Sequence, residues 1–415
     1  MTLLRLQTNS PYGHSTSVYA INGSVPGPTV RIKRGEVFRT RVVNQLIDEP
    51  LVIHWHGLLS PEEMDGHPRQ QVESGQSYDV QFQVNQRGAT CWYHSHTDML
   101  TAEQVYKGLA GLFIIDDPEY DDLDLPSGDR DIPLVIVDWR SNAQCQLTYS
   151  TSMADRMRGY LGDEALVNGT PEAWLAVDQG RYRFRLLNGS NARIFKLAFS
   201  DNRPFHLIGT DGGLLGEPIE VTNAILTPGQ RLEILVDFAN VPAGESVTLR
   251  SLGMPRDAGL PWLSQDLELD LLTLHVEHPA TLDPWPIALA PFENWRSEDA
   301  VRTRKFTLSS SAGIHYINGK LFEMNRVDFK PPQGDLEIWE YQNMGQVHHP
   351  MHMHAANFQV LERIGRGPMT PEDEGWRDTV LVNPGETVRV LVRFEAETGL
   401  FLHHCHNLEH EDAGM

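Results

Sequence analysis

The segment His404-Cys405-His406-Asn407-Leu408-Glu409-His410-Glu411-Asp412-Ala413-Gly414-Met415 gathers imidazole, thiolate and thioether donors into one short stretch. Donors of this soft and borderline kind suit copper best among the common metals. If the segment begins as a β-strand, its side chains alternate between faces, so His404 and His406 point one way and Cys405 the other. One strand would then serve two metal sites, and the rest of the chain must supply the missing ligands.

Three more histidine pairs share that spacing: His54 and His56, His94 and His96, and His352 and His354. Residues two apart on a strand share a face, so four such pairs can point eight imidazoles at a common seam. That suits a polynuclear site, because a single zinc takes only three or four ligands. The donors left over are His349, Cys405, His410 and Met415. Two histidines, a thiolate and a weak axial thioether form the ligand set of a blue-copper electron-transfer centre. Met351 and Met353 fall on the opposite face from His352 and read as packing. His14, His67, His206, His275, His278 and His315 stand alone and read as surface or satisfied core residues, while His348 and His403 adjoin ligand candidates but fall out of register.

The elements that must position these donors show up as a long-period repeat. Ile21-Asn22-Gly23 returns as Val167-Asn168-Gly169 and as Ile317-Asn318-Gly319. Gly35, Gly180 and Gly334 follow, then strand-like runs closing on Asn44, Asn188 and Asn343, then Gly75, Gly229 and Gly385. The last three glycines lie 154 and 156 residues apart. Short runs of Val, Ile, Leu, Phe and Thr between Gly, Pro and Asn read as strands, so the expectation is an all-β chain of three similar domains: residues 1–120, 121–283 and 284–415. An acidic, Pro-containing connector at Asp116 to Asp122 marks the first limit, and a stiff linker with Pro279, Pro284, Pro286 and Pro291 marks the second. His94 follows Gly75 by 19 residues and His404 follows Gly385 by 19, so the two motifs occupy one topological position. The second copy has no such motif and is expected to hold the outer copies together.

Composition narrows the classes. At 415 residues the chain exceeds one ordinary core, and 40% hydrophobic with 22% charged residues is an ordinary globular balance. A formal charge of -22 argues against a nucleic-acid partner. No apolar run approaches the roughly 20 residues that span a bilayer, so no membrane association is expected. Met1-Thr2-Leu3-Leu4-Arg5 is no signal peptide, which leaves a periplasmic or secreted protein with its leader removed, or a cytoplasmic one. Cys91 and Cys145 read as buried thiols rather than a disulfide. A monomer is expected.

His54-Trp55-His56-Gly57, His94-Ser95-His96, His349-Pro350-Met351-His352-Met353-His354 and His404-Cys405-His406 through Met415 resemble the motifs of the three-domain multicopper oxidases, a family that includes laccases and bacterial cuprous oxidases. The resemblance covers nearly the whole chain. It implies three cupredoxin-like Greek-key β-barrel domains, four copper ions and reduction of dioxygen to water. By position it assigns His349, Cys405, His410 and Met415 to a type 1 copper, His54 and His352 to a type 2 copper, and His56, His94, His96, His354, His404 and His406 to a type 3 pair. Asp65 and Glu411 match acidic positions used near the trinuclear centre and are expected to relay the protons that dioxygen reduction consumes. An exposed His410 is expected to take the electron. Because only Met254 lies between residues 158 and 323, no methionine-rich insert appears there. The expected reductant is therefore a phenol or aromatic amine at an open site bordered by the Trp262 to Trp295 segment, with Cu(I) as the rival. A non-catalytic copper-binding scaffold is the third reading. The third copy ends at Met415 without a counterpart of the first copy's Gly111-Leu112-Phe113-Ile114-Ile115, so its closing strand is either absent from these residues or replaced by another closure.

Overall fold

The computed structural model describes residues 1–9, 15–254, 265–280, 288–395 and 397–415. The described residues are overwhelmingly β, arranged in six sheets of three to seven strands, with three short helices: α1 (Thr101–Tyr106), α2 (Met153–Arg158) and α3 (Leu408–Asp412). Each sheet draws its strands from one stretch of sequence. Alternation drives this: in Ser77–Gln83 only Val80 and Phe82 are buried, and across the ladder Phe82 lies opposite Phe38. Among the described residues no helix is long and apolar enough to cross a membrane.

The repeated landmarks have physical causes. Asn22-Gly23, Asn168-Gly169 and Asn318-Gly319 all hold positive φ at both residues, between 50° and 78°, as a tight hairpin turn requires of an Asn-Gly pair. Asn44, Asn188 and Asn343 are buried pins. Each amide nitrogen donates to two backbone carbonyls, those of Glu49 and Val72, Arg193 and Leu226, and Val347 and Val382 respectively. In the outer copies the pinned loops lead directly into the strands Ile53–His54 and His349–Met353.

The two outer copies differ at one edge. Ala89–Ser95 is paired with Ile53–His54 on one side and Ala110–Asp116 on the other. Its counterpart His403–Cys405 is paired with His349–Met353, and on its far side the Cys405 amide donates to the Met415 carbonyl at 2.9 Å. Cys91 and Cys145 are both free; Cys91 is buried as expected, but Cys145 is only half-buried. The expected domain limit at 283 and 284, together with Pro284, Pro286, Trp262 and His14, lies outside the described residues. Trp295 packs edge-on against Trp376, at 4.7 Å between ring centres, rather than beside His410.

Candidate metal centre

Strand pairing sets His54 opposite His94 in the first copy and His352 opposite His404 in the third. The two copies then meet ring to ring: His54 stacks on His354 at 3.8 Å between centres, and His56 on His352 at 3.7 Å. His96 and His404 bring their Nε2 atoms within 3.3 Å, and His354 and His404 within 3.1 Å. His406 closes the group, 5.0 Å from His56 and 5.4 Å from His94 between ring centres. All eight are buried. In each pair only the first histidine lies within a strand; His56, His96, His354 and His406 sit just past the strand ends. The shared-face expectation is corrected to that extent, and the turning backbone, with Gly57 and Ala355 at positive φ, lets the two rings of a pair approach the seam from different angles.

Proton accounting shows what the cluster is prepared to bind. His54 Nδ1 donates to the Asp65 carbonyl at 2.7 Å, His352 Nδ1 to the Asp378 carbonyl at 2.9 Å and His94 Nδ1 to the Ser95 carbonyl at 2.8 Å. Their Nε2 atoms are left buried without a hydrogen-bond partner, as are Nδ1 of His56, Nδ1 of His96 and both nitrogens of His406. Burial holds His54, His56, His94, His352 and His354 well below the ordinary imidazole range, so they are neutral. Neutral imidazoles anchored through one nitrogen, with the other lone pair orphaned, are what metal ligation requires. The residues present fit a copper cluster.

A second donor set lies on the other face of the same strand. Cys405 Sγ is 3.5 Å from His349 Nδ1 and 3.6 Å from His410 Nδ1. Met415 packs in the same apolar cluster as Cys405, and its amide donates to the His410 carbonyl at 2.9 Å. Burial pushes the Cys405 thiol up, so an isolated thiolate there would be costly and a cation beside it favourable. Met351 and Met353 are buried in the surrounding core.

Two carboxylates sit against the imidazole cluster. Asp65 accepts from His354 Nδ1 at 2.7 Å and from Ser60 Oγ at 3.2 Å. Glu411 places Oε1 3.5 Å from His96 Nε2 and Oε2 3.3 Å from His404 Nδ1. Burial pushes the Asp65 carboxyl up to about 8. Burial opposes the charge on Glu411 too, but the neighbouring His404 and His96 outweigh it and hold that carboxyl far below the usual range. A cavity of about 550 Å³ reaches His96, His354, His404 and Glu411 from the surface.

Sequence reading missed four contributors. Asp378 lies 3.0 Å from His56 Nε2 and is gripped by Arg231 at 2.9 and 2.5 Å. His315, read as an isolated histidine, stacks on His410 at 3.7 Å between ring centres. His410 itself is fully buried, and its Nε2 donates at 3.1 Å to the carbonyl of Met157 on α2. The open electron-entry histidine expected from sequence is therefore corrected: α2 covers it. No spacing signalled Asp378 or Arg231, and a backbone carbonyl has no sequence signature at all.

Models of the multicopper oxidase family match residues 4–120, 130–245 and 295–415. The "Multicopper oxidase mco" of Staphylococcus haemolyticus is 34% identical over 399 residues, covering 95% of this chain and 81% of that protein. The chain belongs to the multicopper oxidases. The laccase of Bacillus subtilis is 31% identical over 464 residues, covering 96% of this chain and 89% of that one. The cell division protein FtsP of Xenorhabdus nematophila is 34% identical over 416 residues, covering 97% and 84%. In three dimensions the McoA multicopper oxidase from Aquifex aeolicus superposes with a TM-score of 0.89 at 35% identity, covering 100% of this chain and 94% of that one. The fold is thus all-β and cupredoxin-like, and this multicopper oxidase is an oxidoreductase that binds copper.

Proposed function

We propose that this multicopper oxidase is laccase-like, taking single electrons from a phenol or aromatic amine and reducing dioxygen to water with four copper ions. The observation that carries the reading is the strand at Cys405: its thiol faces His349 and His410, while His404 and His406 on either side belong to the imidazole cluster. In this assignment His349, Cys405, His410 and Met415 hold a type 1 copper, His54 and His352 a type 2 copper, and His56, His94, His96, His354, His404 and His406 a type 3 pair. Copper at these places supplies one-electron chemistry that side chains lack. The backbone of His404-Cys405-His406 links the two donor sets through bonds. The Asp65 and Glu411 carboxyls stand within reach of the cluster to pass protons, and the cavity beside Glu411 gives dioxygen and water a way in. The second copy braces the seam: Arg231 reaches under His56, and a side chain at Gly229 would press on the His406 ring at 2.9 Å.

A second reading keeps the chemistry and makes Cu(I) the reductant. It rests on α2, whose Met153 and Met157 sulfurs both lie against Gly313 and whose Met157 carbonyl covers His410. Thioethers are Cu(I) ligands. Steady-state rates with a phenol and with Cu(I) separate the readings; oxidation of Cu(I) alone overturns the first. Cys405→Ser should abolish the intense visible band and substrate oxidation. Wild-type rates in that variant overturn the electron path through Cys405, whereas no oxygen uptake by the copper-loaded wild type overturns the oxidase reading in favour of a non-catalytic scaffold.

A further inference from the structure

Three successive carbonyls at the end of α2 are aimed at the third copy. A helix leaves its last carbonyls without partners inside the helix. In α2 the capping residue Gly159, at φ 90°, turns the chain away after its amide bonds back to Asp155 at 2.7 Å. The next amide, Tyr160, donates instead to the Glu409 carboxylate at 2.8 Å. The carbonyls of Arg156, Met157 and Arg158 then accept, in order, from His315 Nε2, His410 Nε2 and Asn407 Nδ2, each at 3.1 Å.

His315 is the member of this row with no assigned purpose. Its ring is fully buried, lies nearly parallel to His410 with 28° between planes, and meets His349 edge-on at 5.3 Å between centres. It sits beside two metal-ligand candidates, yet it has no lone pair to offer. Nε2 carries the proton given to the Arg156 carbonyl, so Nδ1 must accept, and it does so from Ser310 Oγ at 2.7 Å.

We propose that His315 is a positioning residue of the Cys405 centre: its ring forms one wall against the His410 ring, and its hydrogen bond to Arg156 holds the α2 carbonyls over His410. This rests on reading His410 as a copper ligand. The consequence is a fixed tautomer. With Met157 taking the Nε2 proton, His410 presents an unprotonated Nδ1 toward Cys405 Sγ, and the stacked wall prevents the ring from rotating away.

Two variants separate the two tasks. His315→Phe keeps a flat ring against His410 and removes both hydrogen bonds, whereas His315→Ala removes both the ring and the bonds. Two measurements are made: amide hydrogen exchange across residues 153–160 in the copper-free protein, and the position and width of the visible thiolate-to-copper band after copper loading. Both variants should speed exchange in α2, by several-fold to about tenfold, the size set by one lost hydrogen bond. Only the Ala variant should shift and broaden the band, and Phe should restore it. Wild-type exchange in both variants overturns the α2 bond, and identical bands in Ala and wild type overturn the wall. If the Ala variant fails to fold, a Phe variant with faster α2 exchange and an unshifted band supports the proposal, and a shifted band overturns it. A wild-type protein that loads copper yet shows no such band refutes the underlying assignment instead.

Discussion

Replacing Arg231 with methionine should cost this protein more stability than any single surface change, and the reason lies in where the guanidinium sits. Arg231 is fully buried and touches all three sequence copies. It donates to the Thr90 carbonyl of the first at 2.9 Å, to the Gly229 carbonyl of the second at 2.7 Å, and to both carboxylate oxygens of Asp378 in the third. Its own amide donates to Asp211 at 2.8 Å. Methionine matches the stem and removes the charge, which strands Asp378 as a buried carboxylate beside His56. Removing one partner of a buried ion pair costs roughly 3–5 kcal/mol because the other charge is left uncompensated. For a cooperative unit of one repeat's size, about 2–4 °C accompanies each kcal/mol, so the copper-free protein should melt some 6–20 °C lower. The double variant Arg231→Met with Asp378→Leu should recover part of the loss, since no stranded charge remains. It should not recover all, because His56 Nε2 and the Thr379 hydroxyl lose their acceptor, at about 1–3 kcal/mol each. Thermal and guanidinium unfolding of the four proteins in a double-mutant cycle reads the coupling. A loss below 1 kcal/mol for Arg231→Met, or a double variant no better than the sum of its parts, would refute the stranded-charge reasoning.

Asp65→Asn and Glu411→Gln should each lower oxygen uptake by about 10²–10⁴-fold, the usual worth of a positioned proton-transfer group, with copper content unchanged by metal analysis. Wild-type turnover in both would remove them from the relay. The ion-pair network of the second copy, which Arg31 and Thr90 of the first copy join, should weaken in acid. Asp131 and Glu233 are buried, which works against their charge, but Arg185 and Arg183 outweigh burial and hold both carboxyls below their ordinary values. Groups depressed in this way contribute stability above the unfolded carboxyl pKa of about 4 and lose it as pH falls through the lower folded values. The urea midpoint should therefore drop more steeply below pH 4 in the wild type than in Glu233→Gln; equal slopes would count against the pairing.

How far the sequence reached can be judged from particular residues. The Asn-Gly turns and the pinning asparagines recur because a left-handed two-residue turn and a buried loop anchor each admit very few residue types, so the repeat was legible as soon as they were aligned. His54, His94, His352 and His404 were legible because strand alternation is local and the repeat carries it from copy to copy. Their partners two residues on were legible as donors but not in conformation, since each strand ends before reaching them.

What the sequence alone determined was the inventory: which side chains carry metal-type donor atoms, and that His404, Cys405 and His406 alternate between the faces of one strand. Those facts depend on residue type and short-range periodicity. Only the tertiary structure decided how the site is enclosed. Asp378 comes to lie under His56, Arg231 spans three copies, and α2 lays its last carbonyls over His410. These contacts join residues far apart in the chain, and several of them engage backbone atoms common to every residue. The covered His410 follows from that packing, which composition, motif and spacing do not encode.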